Sequence, residues 1–247
     1  MSVSKRRVRA IFRKELREYR RNGNIISAMV VFPLIFLIQP LITVLTETAA
    51  AANGLAHEHV LLYMLAIPAL VPSALASYSV VGERQQGTLE PVLATPIRRE
   101  EFLLGKALAA FVPSLAISYA VLVLFLACVE LFAHPGIAPA LLRAPDLLAQ
   151  LLFTPLLAAW SIWIGIAISA RCSDIRVAGQ LSLLASLPSV AVTTLLALNV
   201  IHATLGLALG GAALLLVLDT LGWRIISATF DRERLIRSEE RRVGKEC

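Results

Sequence analysis

Six long apolar runs, almost free of charge, constrain this chain more than any other feature. They extend from Ile25 to Leu45, Val60 to Val81, Lys106 to Phe132, Leu147 to Ser169, Gly179 to Leu198 and Ala203 to Gly222. About 20 apolar residues in a helix cross the roughly 30 Å of bilayer hydrocarbon, and a helix satisfies its own backbone hydrogen bonds there. Hydrophobic residues make up 57% of the chain and charged residues 16%, against roughly half and a quarter in a soluble domain. A soluble core has no room for six such runs. The expected fold is an all-α membrane protein with six transmembrane helices. It divides into an N-terminal segment 1–24, a membrane domain 25–222 and a polar tail 223–247. The first run is too long for a signal-peptide core and is read as a retained span.

Charge sets the expected orientation. Nine Lys and Arg residues precede the first span, four lie between the second and third with Lys106 at the boundary, two lie between the fourth and fifth, and seven follow the sixth. Arg143 alone falls in an alternate loop. By the positive-inside rule both termini and the even-numbered loops are cytoplasmic, and the chain is a multi-pass protein of the cytoplasmic membrane. The net charge of +6 follows from this distribution, so nucleic acid is not an expected partner. The lipid bilayer is.

From Ser4 to Arg21 the chain is strongly basic, yet Val8, Ile11, Phe12, Leu16 and Tyr19 recur at helical spacing. This predicts an amphipathic helix lying in the cytoplasmic interface, with a solvated basic tail as the plainer alternative. Pro33, Pro40, Pro68, Pro72, Pro113, Pro155 and Pro188 fall inside five spans, where each removes a backbone hydrogen bond and favours a bend. Gly206 and Gly210 form a GxxxG pattern that fits either a close helix contact or chance. Cys128, Cys172 and Cys247 have no paired or metal-ligand spacing. Glu239 to Cys247 differ in character from the rest, a candidate for non-native sequence, and receive no function.

The most distinctive segment is the loop from Gly82 to Lys106 between spans two and three. Thr88 with Glu90 in the following turn, and Thr95 with Pro96, are two helix starts. The first predicts a two-turn helix from Thr88 to Ala94, apolar along Leu89, Val92 and Leu93. A short amphipathic helix held there suits insertion into a groove on another protein, and the second start runs straight into span three. On the residues alone, a lever and a plain interfacial connector both remain open.

The run E-R-x-x-G-T-L-E-x-x-L-x-T-P-I-x-R-x-E-x-x-x-G-K from Glu83 to Lys106 resembles the corresponding loop of ABC type-2 exporter permeases. The six spans and basic N-terminal helix extend the resemblance over nearly the whole chain. It implies that the short helix is a coupling helix that docks on a separate ATP-hydrolysing subunit, with the N-terminal helix beside it. Glu83, Gly87, Thr88, Leu89 and Glu90 would form the ATPase-facing elbow, and Pro96, Arg99, Glu101, Gly105 and Lys106 would continue it into span three. It also implies a homodimer or a heterodimer with a second permease. One departure is the connection Asn199 to His202, where many relatives place extra outer helices and this chain has almost no residues.

The chain carries no G-x-x-x-x-G-K-[ST] phosphate loop: Gly82 and Gly87 have the first spacing, but Thr88 stands where Lys is required, and Ala107 follows Gly105-Lys106. No H-E-x-x-H, G-x-S-x-G or intramembrane carboxylate pair occurs. His57 and His59 form H-x-H, two ligands where a closed metal site needs about four, and read as solvated loop residues; His134 and His202 read as interfacial. The ionisable residues of the runs are Lys106, Glu130 and Asp219, all near expected ends where a charge reaches water. The midplanes are uncharged. Together with these absences, the resemblance implies a permease subunit without catalytic residues, metal or cofactor of its own, exporting substrate with ATP and Mg bound by the partner subunit. A non-transporting scaffold and an ion-coupled secondary carrier are the alternatives. No substrate-binding residue stands out.

Overall fold

The computed structural model describes residues 4–46, 59–87, 97–132 and 142–229, and these are helical almost throughout. Helix α1 (Lys5–Tyr19) is followed by α2 (Gly23–Thr46). A 3-10 turn (Val60–Leu65) leads into α3 (Ala66–Ser77), and after a break comes the short α4 (Val81–Gln85). Then follow α5 (Arg99–Phe132), α6 (Ala144–Arg171), α7 (Ile175–Ala197) and α8 (Leu205–Thr229). Six stretches are long and apolar enough to cross a membrane, with the 3-10 turn, α3 and α4 together forming the second.

That second span is the axis of the molecule. All twelve residues of α3 are buried, and α2, α5, α6 and α7 surround it. Its surface is mostly small, with Ala69, Ser73, Ala74, Ala76 and Ser77 among its residues, so neighbouring backbones approach closely. A Cβ on Gly165 of α6 would lie 2.6 Å from Ala76 Cβ and 3.0 Å from the Ser73 carbonyl oxygen. Larger residues there would separate α6 from α3. Buried hydroxyls bond their own helix: Ser73 donates to the Leu70 carbonyl, Ser77 to Ala74 and Ser114 to Ala110.

The outer helices show apolar faces to their surroundings. Val30, Leu34 and Ile38 of α2, Leu184 of α7 and Leu209, Leu214 and Val217 of α8 are exposed, a cost in water and none in lipid. Helix α8 is the most peripheral. It leans on α6, where Trp163 and Trp223 meet edge to face at 5.5 Å between ring centroids and a Cβ on Gly222 would lie 3.0 Å from Trp163 Cδ1. The GxxxG glycines do not share this role: a Cβ on Gly206 or Gly210 would meet nothing within 4 Å. Helices α2, α5, α6 and α7 each continue through their internal prolines.

Helix α5 has 34 residues, about 51 Å at 1.5 Å per residue. It begins at Arg99, seven residues before the expected span, so its first two turns extend the span into the neighbourhood of α1.

Candidate coupling site

Helix α1 lies across the start of α5, and three contacts fix it. At its N-terminus, Glu101 accepts hydrogen bonds from the Ser4 backbone N–H at 2.8 Å and from Arg7 Nη1 at 3.2 Å. The same carboxylate accepts the Arg98 backbone N–H at 3.1 Å. Arg98 immediately precedes α5 and Ser4 immediately precedes α1, so one buried glutamate serves the first turns of two helices. In the middle, Ile11 sits on Gly105: a Cβ on Gly105 would come within 2.7 Å of Ile11 Cγ2 and 2.8 Å of Ile11 Cβ. Toward the C-terminus, Glu15 accepts from Lys106 Nζ at 2.7 Å. The apolar stripe of α1 therefore packs on protein, with Val8, Ile11 and Tyr19 buried.

Lys106 was expected to reach water at a span end. It is 1% exposed. Its ammonium lies between Glu15 and Glu83, 2.8 Å from Glu83 Oε1, and 4.9 Å from the Phe102 ring centroid. Glu83 Oε1 also accepts from Lys14 Nζ at 2.7 Å, and Lys14 pairs with Glu18 at 3.1 Å. Lys14, Glu15, Glu83 and Lys106 thus balance two positive against two negative charges, the arrangement that makes buried ions tolerable. Burial pushes the Glu15 carboxyl up, with Lys106 opposing. For Lys14 burial works against the charge, but the Glu83 hydrogen bond and neighbouring carboxylates prevail and hold it above its ordinary range.

The elbow after α3 is held from the other side by α6. Ser169 Oγ accepts the backbone N–H groups of Val80 and Val81, both at 3.0 Å, donors left free where the helix breaks. Arg84 donates to the Cys172 carbonyl at 2.8 Å and the Ala170 carbonyl at 3.2 Å, placing a guanidinium on the negative end of α6. Gln85 reaches the Ser173 carbonyl. Gly87 then ends α4 with φ +66°, the left-handed position that glycine occupies at helix C-termini without strain. Beside the elbow is a cavity of about 420 Å³ whose lining includes Glu15, Tyr19, Asn22, Tyr78, Ser79 and Glu83. The hydroxyls of Tyr19 and Ser79 find no hydrogen-bond partner among the described residues, and such a space can hold water.

Of the residues singled out from the sequence, Glu83, Glu101, Gly105 and Lys106 come together around α1, and Gly87 ends the elbow. Arg99 is exposed on the first turn of α5. Thr88, Leu89, Glu90 and Pro96, and with them the two-turn helix and both Thr caps, lie outside the described residues. Lys14, Glu15, Arg84 and Ser169 were not singled out. Glu15 carried a signal, because a carboxylate in step with Val8, Ile11 and Tyr19 falls on the buried stripe and demands a cation.

At the opposite end of the bundle His59 proves to be structural rather than a solvated loop residue. Its Nδ1 lies 2.7 Å from Asp146 Oδ1 of α6, and its backbone N–H donates to the Ala197 carbonyl at the end of α7 at 3.0 Å. His57 lies outside the described residues. No group of three or more metal-ligating side chains occurs among the described residues.

The family model for ABC-2 type transporters matches residues 6–205, from α1 through all of the first five spans. The chain belongs to the ABC-2 type transporter family. It is a permease component of an ABC transporter, and ABC-2 membrane domains pair with an ABC ATPase subunit. No curated protein matches it significantly. In this ABC-2 domain the polar contacts of Glu83, Arg84, Glu101 and Lys106 flank residues 88–96 on both sides.

Proposed function

We propose that this chain is the membrane subunit of an ATP-driven exporter, working as two six-span halves with a separate ATPase that binds ATP and Mg and docks on the segment between α4 and α5. Both termini and that segment then face the cytoplasm. The observation that carries the reading is the ion cluster. Glu83 precedes the segment and Lys106 follows it; the two pair with each other and are tied to α1 through Lys14 and Glu15 respectively, while Arg84 ties the same elbow to α6. A force applied anywhere between Gly87 and Ile97 therefore meets α3, α5, α6 and α1 as one packed unit. ATP binding closes the ATPase dimer, the segment moves, and the tilt of these helices changes which side of the bilayer the cavity between halves opens toward. The apolar spans favour an amphipathic cargo.

The test uses the full chain in proteoliposomes with its ATPase subunit. Hydrolysis stimulated by substrate, lost on Gly87→Pro or Glu90→Arg, is the expected result. Hydrolysis indifferent to both changes, or transport driven by an ion gradient without ATP, would overturn the proposal.

A further inference from the structure

The face of α1 turned away from the bundle consists largely of arginine. Arg6, Arg9, Arg13, Arg17 and Arg20 recur at intervals of three and four and are all exposed. At 100° per residue they fall within an arc of about 80°. The acidic residues of α1 point elsewhere: Glu15 is buried on Lys106 and Glu18 pairs with Lys14. None of these five arginines pairs with a carboxylate among the described residues. The lysine near the middle of the helix, Lys14, is spent on the ion cluster. What remains outward is guanidinium, whose planar fork matches two phosphate oxygens and which is weakly hydrated.

The position of this face is fixed by the chain. Three residues separate Tyr19 from Gly23, so the end of α1 is within about 15 Å of the start of the first span. The exposed apolar surface of α2 begins at Ile26, five residues beyond Arg21. Arg20 therefore stands near the point where hydrocarbon gives way to headgroups, and the row runs back from it along α1 past the start of α5. The apolar stripe, already packed on α5, is not available for insertion into lipid.

We propose that the outward face of α1 is a docking surface for the phosphate-bearing headgroups of anionic phospholipids. The attraction is electrostatic, so it selects lipid by charge and weakens with salt, unlike that of a helix anchored by apolar side chains. Because Lys14 and Glu15 on the same helix hold Lys106 and Glu83, bound anionic lipid also steadies the ion cluster.

The test places a fluorophore on Ala10→Cys, an exposed position amid the arginines, in the full chain lacking its other cysteines, in phosphatidylcholine nanodiscs. Nitroxide-bearing phosphatidylglycerol or nitroxide-bearing phosphatidylcholine is added at equal trace level, and the ratio of quenching is read. At about 0.05 M salt the phosphatidylglycerol should quench about fivefold or more in excess, falling toward one at about 0.5 M. The variant Arg9→Gln/Arg13→Gln/Arg17→Gln, which touches no packed side chain, should also fall toward one. A ratio near one in the parent chain overturns the proposal, and so does an undiminished ratio in the variant. If both lipids quench alike and only added ATPase subunit shields the probe from aqueous iodide, the face is a protein-docking surface and the lipid proposal fails.

Discussion

Lys106 shows how one side chain changes meaning between sequence and structure. At the edge of an apolar run it reads as an interfacial anchor, but its ammonium is enclosed by Glu15, Glu83 and the Phe102 ring. Replacing it with a residue of similar length and no charge removes the cation that Glu15 and Glu83 share and leaves Lys14 to balance both carboxylates. Lys106→Met is therefore expected to cost about 3–5 kcal/mol, seen as a large drop in the thermal unfolding midpoint of the purified chain. Adding Glu15→Gln should recover part of the loss, with a coupling of about 0.5–3 kcal/mol in a double-mutant cycle; strict additivity would mean that the pair does not interact. Gly87 makes a smaller and different demand. Its φ of +66° leaves open space around a Cβ, so Gly87→Ala should cost about 1–2 kcal/mol from backbone strain alone, and Gly87→Asn less. Equal midpoints for the alanine variant and the parent would show that residue 87 does not keep that conformation.

Helix α1 is held by unlike fasteners that respond to different changes. Gly105→Ala places a methyl within 2.7 Å of Ile11 Cγ2 and 2.8 Å of Ile11 Cβ, and should lift the middle of α1 while Glu101 still holds its start. Faster tryptic cleavage within residues 5–21, with the spans intact, checks this. The ionic fastener has a pH limit set by Lys14. Its pKa is raised above the ordinary 10.5 by Glu83 and its neighbours, so the stabilisation is fully present below 10.5 and is lost as pH rises through the folded-state value. Spin labels on Ala10→Cys and Glu100→Cys should keep a constant separation from pH 7 to 10 and drift apart only in stronger alkali. Loss of the short distance near neutrality would contradict the ion pairing. The existence of α1 was legible because Val8, Ile11, Phe12, Leu16 and Tyr19 repeat at helical spacing. Its partner was not, since a stripe of this kind packs equally well on lipid or on another helix. Only Glu15, misplaced on an apolar stripe, hinted at a buried cation.

At the scale of the whole molecule, six spans were readable because lipid leaves a helix no alternative, whereas their arrangement was not, because apolar faces look alike. That the second span is central follows from its small residues, and from Gly165 lying so close to α3 that a Cβ there would meet Ala76 and the Ser73 carbonyl, details that become informative only once the neighbours are known. This axis joins two ends fastened by different chemistry. His59, just before the 3-10 turn, ties its near end to Asp146 and to the Ala197 carbonyl, and Glu83 and Arg84, in its last turn, tie the other end to Lys106 and α6. From Val60 to Gln85 the span has 26 residues, about 39 Å at helical rise, so the two fasteners share no partner and their contributions to stability should be independent. His59→Ala and Lys106→Met are thus expected to lower unfolding stability additively, within about 0.5 kcal/mol. Hydrogen exchange should sharpen the point: His59→Ala should speed exchange at residues 59–65 and 144–150 and leave residues 5–19 and 99–106 unchanged. If exchange at the distant end rises as well, the axis transmits disorder along its length, and the two ends must be treated as one cooperative unit even before a partner subunit is bound.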